Sequence, residues 1–151
     1  MFSKTMQIAV AAFALVGAAI APVLAATPDE AKAMAEKAAA LVAADGEKAF
    51  PAFADPDGEF HKGELYVVVI DRKGVVRATL NQKLIGVNMW ESTDPDGVKF
   101  TQLSWSATEA SGTAWVSYKF TNPVSKKIEP KKAWVHRVGD YVVQTGVYVK
   151  E

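Results

Sequence analysis

Residues 112–150 read GTAWVSYKFTNPVSKKIEPKKAWVHRVGDYVVQTGVYVK, and this stretch decides the fold. Ala114 to Phe120 has the aromatic and β-branched composition of a strand. Asn122 to Lys132, with Pro123 and Pro130, reads as a polar connection. Ala133 to Val138 and Tyr141 to Val149 are two further strands on either side of Gly139-Asp140, a two-residue hairpin turn in which glycine supplies a positive φ. That turn sets a register: Val138 faces Tyr141, His136 faces Val143 and Trp134 faces Thr145. Side chains alternate along a strand. Trp134, His136 and Val138 therefore share one face with Tyr141, Val143 and Val147. Val135 and Arg137 share the other with Val142 and Tyr148, so Arg137 and Trp134 cannot line one pocket unless the strand is bulged.

Upstream, Leu65 to Ile70 is the most apolar run outside the N-terminus, and continuous apolarity predicts cover on both faces. Asp71-Arg-Lys-Gly74 turns it back into Val75 to Thr79, which makes a hairpin. Before it, Thr27-Pro28-Asp29-Glu30 carries the signature of a helix start with a capping box. Ala31, Met34, Ala35, Ala38, Leu41 and Val42 then recur at helical spacing. Asp45-Gly46 interrupts this helix, and a short second one bears Phe50 and Phe53. After an irregular connection over 81–90, a helix is expected from Asp94-Pro-Asp-Gly97. Phe100, Leu103, Ala107 and Ala110 fall on its inner face and Gly112 is its stop. Trp105 falls off that face, where it reads as a pocket lid or a partner contact.

Hairpins at both ends predict an α+β fold. An antiparallel sheet of five or six strands carries a long N-terminal helix packed on it.

The N-terminus bears one positive charge at Lys4, an apolar run over Met6 to Ile20, and small residues at Val23 and Ala25. This is the pattern of a secretory signal peptide over 1–25, followed by one domain over 26–151 in the periplasm. Lys+Arg and Asp+Glu are balanced at 17 each, so no strong field draws the chain to nucleic acid or to a membrane after cleavage. There is no cysteine, hence no thiol nucleophile and no disulfide, and the two histidines fall in unlike contexts. No nucleophile elbow, phosphate loop or dinucleotide fingerprint is present. The Asp-Pro-Asp-Gly turns at 55 and 94 lack the further ligands of a calcium loop and read as a turn and a helix cap. No catalytic residue, metal ligand or cofactor is assigned.

Binding chemistry is better represented. Tyr66, Trp90, Tyr118, Trp134 and Tyr148 are amphipathic aromatics on or beside strands, suited to a pocket wall or to plain core packing. Lys131 and Lys132 precede Trp134, where either ammonium can meet a ligand carboxylate or remain solvated at a strand edge.

Several stretches carry a family resemblance. They are Gly63 to Asp71, Leu84 to Trp90, Asp94 to Gly97, Trp115 to Tyr118, Asn122-Pro123, Glu129 to Lys131, Val138 to Val143, and Gly146 to Tyr148. In this order they resemble a single Cache domain of the second type, the PAS-like extracytoplasmic sensor of bacteria. The resemblance implies a concave, aromatic-lined sheet face that holds a small molecule, here a short organic carboxylate. It implies signal transduction of the chemotaxis kind through a membrane receptor or kinase partner, and no enzyme activity. The chain differs from many relatives at Ala78-Thr79-Leu80, where a His-Pro pair is frequent, and at Val87, where lysine is. No second apolar span or output domain follows, so the expected form is free-standing. The alternative is an interaction module with a degenerate pocket, and behind it a small periplasmic enzyme.

Overall fold

The structure, a computed structural model, describes Gly17 and residues 25–150. The export signal read over 1–25 lies outside the described residues apart from Gly17 and Ala25.

Helix α1 spans Pro28–Asp45. It opens on the expected capping box: Thr27 Oγ1 accepts from the Glu30 amide at 3.2 Å, and the Thr27 amide donates to Glu30 Oε2 at 2.8 Å. Its buried stripe is Ala31, Ala35, Ala38, Ala39 and Val42. Small side chains let the helix lie close against the sheet. A 3-10 turn over Gly46–Ala49 leads into the short helix α2, Phe50–Ala54, which buries Phe50 and Phe53. Edge-to-face contacts hold it, Phe53 on Phe60 at 4.9 Å and Phe50 on Tyr141 at 5.3 Å.

The apolar run after it is not one strand. A two-stranded ribbon pairs β1, His61–Lys62, with β2, Leu65–Tyr66. The chain then steps through buried Val67 into β3, Val68–Asp71, which pairs with β4, Val76–Ala78. Helix α3, Phe100–Ala107, precedes β5 (Thr113–Thr121), β6 (Ile128–Val138) and β7 (Tyr141–Tyr148). The five-stranded antiparallel sheet runs β4-β3-β7-β6-β5. The fold class is α+β, as the hairpins predict. The register across Gly139, which has φ 53°, is the one read from the turn: Val138 pairs Tyr141, His136 pairs Val143 and Trp134 pairs Thr145.

Three further expectations need correction. The polar connection is shorter than Asn122 to Lys132, because β6 starts at Ile128 and takes in Pro130. Proline survives there because its nitrogen faces the side on which β7 has ended. Its carbonyl, on that same side, accepts from the Val149 amide at 2.8 Å. The inner face of α3 is also displaced from the predicted one. Phe100, Thr101, Ser104 and Trp105 are buried, whereas Leu103 and Ala107 are only half-buried and Ala110 is exposed beyond the helix end. Small hydroxyl residues can face the sheet because they take little space: Ser104 Oγ bonds the Phe100 carbonyl and Gln144 Oε1, while Thr101 Oγ1 is buried without a hydrogen-bond partner. The apolar period therefore pointed to the wrong stripe. Trp105 is neither lid nor exposed contact surface. Its Nε1 donates to the Asp71 carbonyl at 3.1 Å, and its ring lies between Arg72 and Arg137, 5.0 and 4.8 Å from the centroid.

The sheet has a core on each side. Toward α1 and α2 lie Val67, Val69, Ala78 and Val143. On the opposite face Ile70, Val116, Val135 and Val142 pack with Phe100 and Trp105 of α3. Residues 79–99 close this second face, and Asp94 fixes them. Its Oδ1 accepts from the amides of Asp96 and Val98, both at 2.9 Å, and its Oδ2 from the Lys119 amide of β5 at 2.8 Å. Asp71 builds the same turn at the head of the β3–β4 hairpin, accepting from Lys73 and Val75.

Candidate functional site

Strand alternation sends Lys131, Ala133 and Val135 of β6 to the α3 side of the sheet. Lys131 is 2% exposed. Its ladder partners are Tyr118 on β5 and Tyr148 on β7, so three polar-tipped side chains form one row across three strands. The lysine stem crosses Gly146 of β7. A Cβ at position 146 would meet Lys131 Cε at 2.7 Å and the Lys132 carbonyl oxygen at 2.8 Å. This glycine serves for space, and its absent side chain is the channel in which the lysine lies.

Beyond Gly146 the ammonium enters an aromatic box. Lys131 Nζ lies 4.3 Å from the Tyr66 ring centroid, 5.3 Å from Tyr148, 5.7 Å from Phe120 and 5.9 Å from Tyr118. It donates to the Tyr66 hydroxyl at 3.1 Å. Tyr66 and Tyr148 hydroxyls are 3.1 Å apart, and Tyr148 donates to the Thr121 carbonyl at 2.7 Å. With the Tyr148 proton on Thr121, Tyr66 must donate to Tyr148 and accept from Lys131, so the chain has one direction. Among the described residues no carboxylate lies within ion-pair distance of Nζ. Burial acts to lower the Lys131 pKa. Tyr118, Tyr66 and the more distant Glu64 carboxylate act against it, and the net direction for Lys131 is upward. Burial raises the pKa of Tyr118 and of Tyr148, which keeps both phenols neutral.

A cavity of about 480 Å³ opens in front of this row. Tyr66, Tyr118, Lys131 and Gln144 form its polar end, and it continues between Ile70, Val76, Leu84, Met89 and Phe100. Lys83 and Lys126, both exposed, also line it. No Asp, Glu or His is among the described residues of its lining. Gln144 Oε1 accepts from Ser104 Oγ at 3.0 Å, which orients the amide so that Nε2 donates to the Tyr118 hydroxyl at 3.3 Å. The donors left for a guest are therefore two Lys131 N–H groups, the Tyr118 O–H and the second Gln144 N–H. Four donors, one of them charged, converging at one end of an apolar chamber suit an oxyanion.

Of the residues singled out by sequence, Tyr66, Tyr118, Lys131 and Tyr148 come together here. Lys132 and Trp134 do not, because they have the other parity on β6 and face α1. Lys132 Nζ sits over the Trp115 ring at 4.7 Å. Trp134 donates from Nε1 to Glu36 Oε1 at 2.6 Å, lies under Lys32 and meets Trp115 edge-on at 5.2 Å. Trp90 is also elsewhere, in a shallow recess with Lys73 and Asn88, although its neighbour Met89 reaches the cavity. Sequence reasoning passed over Gln144 and Gly146. Both left a signal, one as an amide inside an apolar strand and the other as a glycine in a strand interior.

The histidines have local roles. His61 bonds the Pro56 and Gly63 carbonyls, and His136 Nδ1 lies 2.8 Å from Glu36 Oε2. Among the described residues no group of three or more His, Cys, Asp or Glu is placed to hold a metal, and no helix is long and apolar enough to cross a membrane.

The family model described as Single Cache domain 2 matches residues 24–151. Among curated proteins no relative matches. The fold is similar to that of a methyl-accepting chemotaxis protein from Vibrio parahaemolyticus, at 17% identity and TM-score 0.69, over 81% of this chain and 88% of that one. It is similar to a Cache chemosensory domain solved to explain carboxylic acid recognition, at 21% identity and TM-score 0.63, with the same coverage of 81% and 88%. A periplasmic sensor domain of a chemotaxis protein is similar at 23% identity and TM-score 0.61, over 78% of this chain and 87% of that one.

Proposed function

The chain belongs to the single Cache domain 2 family, and on that premise we propose that it is an extracytoplasmic sensing module that binds a small organic carboxylate in the cavity before Lys131. The observation that carries this reading is the buried Lys131 ammonium, charged yet without a carboxylate partner among the described residues, at the end of an open chamber. A buried charge is costly unless paired. An incoming carboxylate supplies the missing partner, and Tyr118 and Gln144 add neutral donors to it. Tyr66 and Tyr148 hold the ammonium in place rather than touching the guest.

The alternative, an interaction module with a degenerate pocket, calls for a filled cavity, and about 480 Å³ of space speaks against it. Among the described residues the lining lacks Asp, Glu and His, the commonest general bases, which favours a binder over an enzyme. The reading includes export through residues 1–25, a domain over 26–151, and a membrane receptor or kinase as the partner that carries the signal onward.

The test is thermal shift and calorimetry against acetate, propionate, lactate and pyruvate, with amines and purines alongside. At 100 times its dissociation constant a ligand stabilises the folded state by about 2.7 kcal/mol, a rise in Tm of several degrees for a domain of this size. A carboxylate is expected to give that shift. If amines or purines shift the Tm and carboxylates do not, the assignment of Lys131 as counter-ion is wrong.

A further inference from the structure

Lys131 explains one end of the cavity and leaves most of its length without a purpose. At about 30 Å³ per water molecule, a space of about 480 Å³ has room for on the order of 16 waters. A two- or three-carbon acid displaces only a few of them. Much of the remainder would stand against Ile70, Val76, Leu84, Met89 and Phe100, which offer water no hydrogen bonds, although Thr79, Asn81 and Thr121 also line the space. Water is poorly held in an apolar chamber, and its release on filling is favourable.

The polar groups are also unevenly placed. Lys131, Tyr66 and Tyr118 belong to the row at the C-terminal end of β7, beside Tyr148. Ile70 pairs with Val142, six residues back along β7 from Tyr148 and two pairs beyond Gln144. At about 3.3 Å per residue this separates the charged end from the apolar end by roughly 20 Å of strand, which the lysine side chain shortens by leaning over Gly146. The chamber is thus charged at one end, and most of the side chains along its length are apolar.

Building on the carboxylate reading above, we infer that the preferred guest is an acid with an extended apolar body, a medium-chain or arylalkyl monocarboxylate. Its carboxylate meets Lys131, Tyr118 and Gln144, and its body lies between Leu84, Met89 and Phe100. The sequence alone suggested a short acid, and the volume argues for a longer one. The exposed Lys83 and Lys126 draw anions to the chamber but lie outside the buried donor row.

Calorimetry with acetate, propionate, butyrate, hexanoate, octanoate and phenylpropionate, with octanol and suberate as controls, decides this. Affinity is expected to rise by between about twofold and fourfold for each methylene added up to the length of the chamber. Octanol and suberate should bind at least tenfold more weakly than octanoate, the first for want of the carboxylate and the second for its charged far end. Lys131→Met should remove octanoate binding, which separates seating in the cavity from surface adsorption. Met89→Phe, or Leu84→Phe if the first does not fold, should lower the octanoate-to-propionate affinity ratio at least fivefold. Affinity that is flat or falls beyond propionate, or tighter binding of suberate than of octanoate, overturns the inference and leaves the carboxylate reading standing. Failure of every carboxylate sinks both.

Discussion

Lys131 and Lys132 are adjacent on one strand and meet opposite environments. Lys131 lies on the α3 side, 2% exposed, boxed by four rings and facing an open chamber. Lys132 lies on the α1 side, half-buried over Trp115 and close to Trp134, which Glu36 ties to the long helix. The α1 face is covered, and its polar atoms largely find partners: Glu36 takes Trp134 through one oxygen and His136 through the other. The α3 face is closed only by a short helix and the 79–99 segment, and it keeps an ammonium and several donors unmatched. One face holds the domain together, and the other holds the chemistry in reserve.

The largest expected effect separates the two lysines. Lys131→Met should weaken carboxylate binding by at least about 30-fold, because truncating one partner of a buried charge pair costs about 2–5 kcal/mol. Lys132→Met should stay within about twofold. Calorimetry on the pair checks this, and equal losses would erase the distinction between the faces.

Trp134→Ala probes the covered face. It should cost about 2 kcal/mol in urea unfolding, less than the ~3–5 of a fully buried tryptophan because the ring is half-buried. Ligand affinity should remain within about threefold. A loss of binding without a loss of stability would return Trp134 to the site.

Tyr118→Phe removes a single donor from the open face. Binding should weaken by at least about tenfold, the low end for one hydrogen bond to a charged group, and stability should fall by about 1 kcal/mol because the Gln144 Nε2–H loses its acceptor.

The smallest effect concerns the closure of the open face and depends on pH. Asp94 is held below the ordinary aspartate range chiefly by the Lys119 amide, with the Val98 and Asp96 amides adding to it against the opposing effect of burial. A depressed carboxylate stabilises above its unfolded pKa of about 3.9, and that contribution is lost as pH falls through the folded value. The stability gap between the parent and Asp94→Ala should therefore be constant from about pH 5 to 8 and close below about pH 4. Denaturant titrations across that range check it. A gap that persists at pH 2 would show that packing, not ionisation, makes the difference.

Much of the scaffold was legible in the sequence because its determinants are local. The Thr27 capping box, the Gly139-Asp140 turn and the pairing of Trp134 with Thr145 each follow from a few adjacent residues and stand in the structure as read. The α3 stripe was misread because Thr101 and Ser104 are buried polar residues, and hydrophobic periodicity cannot register a hydroxyl whose surroundings lie far away in the chain. The pocket wall was misread at Trp134 although the strand's alternation already set it apart from Lys131.

By itself the sequence determined the α+β architecture, the antiparallel order of the C-terminal strands and their register, since turns, caps and period-two patterns act over a few residues. Only the tertiary structure decided which lysine is buried, that Gly146 gives it a channel, and that Tyr66, 65 positions away, accepts its hydrogen bond. These depend on which face of the sheet α1 covers and how far α3 stands off the other. That is settled by long-range packing of whole elements, where the volume left unfilled belongs to no residue and is written in no local pattern.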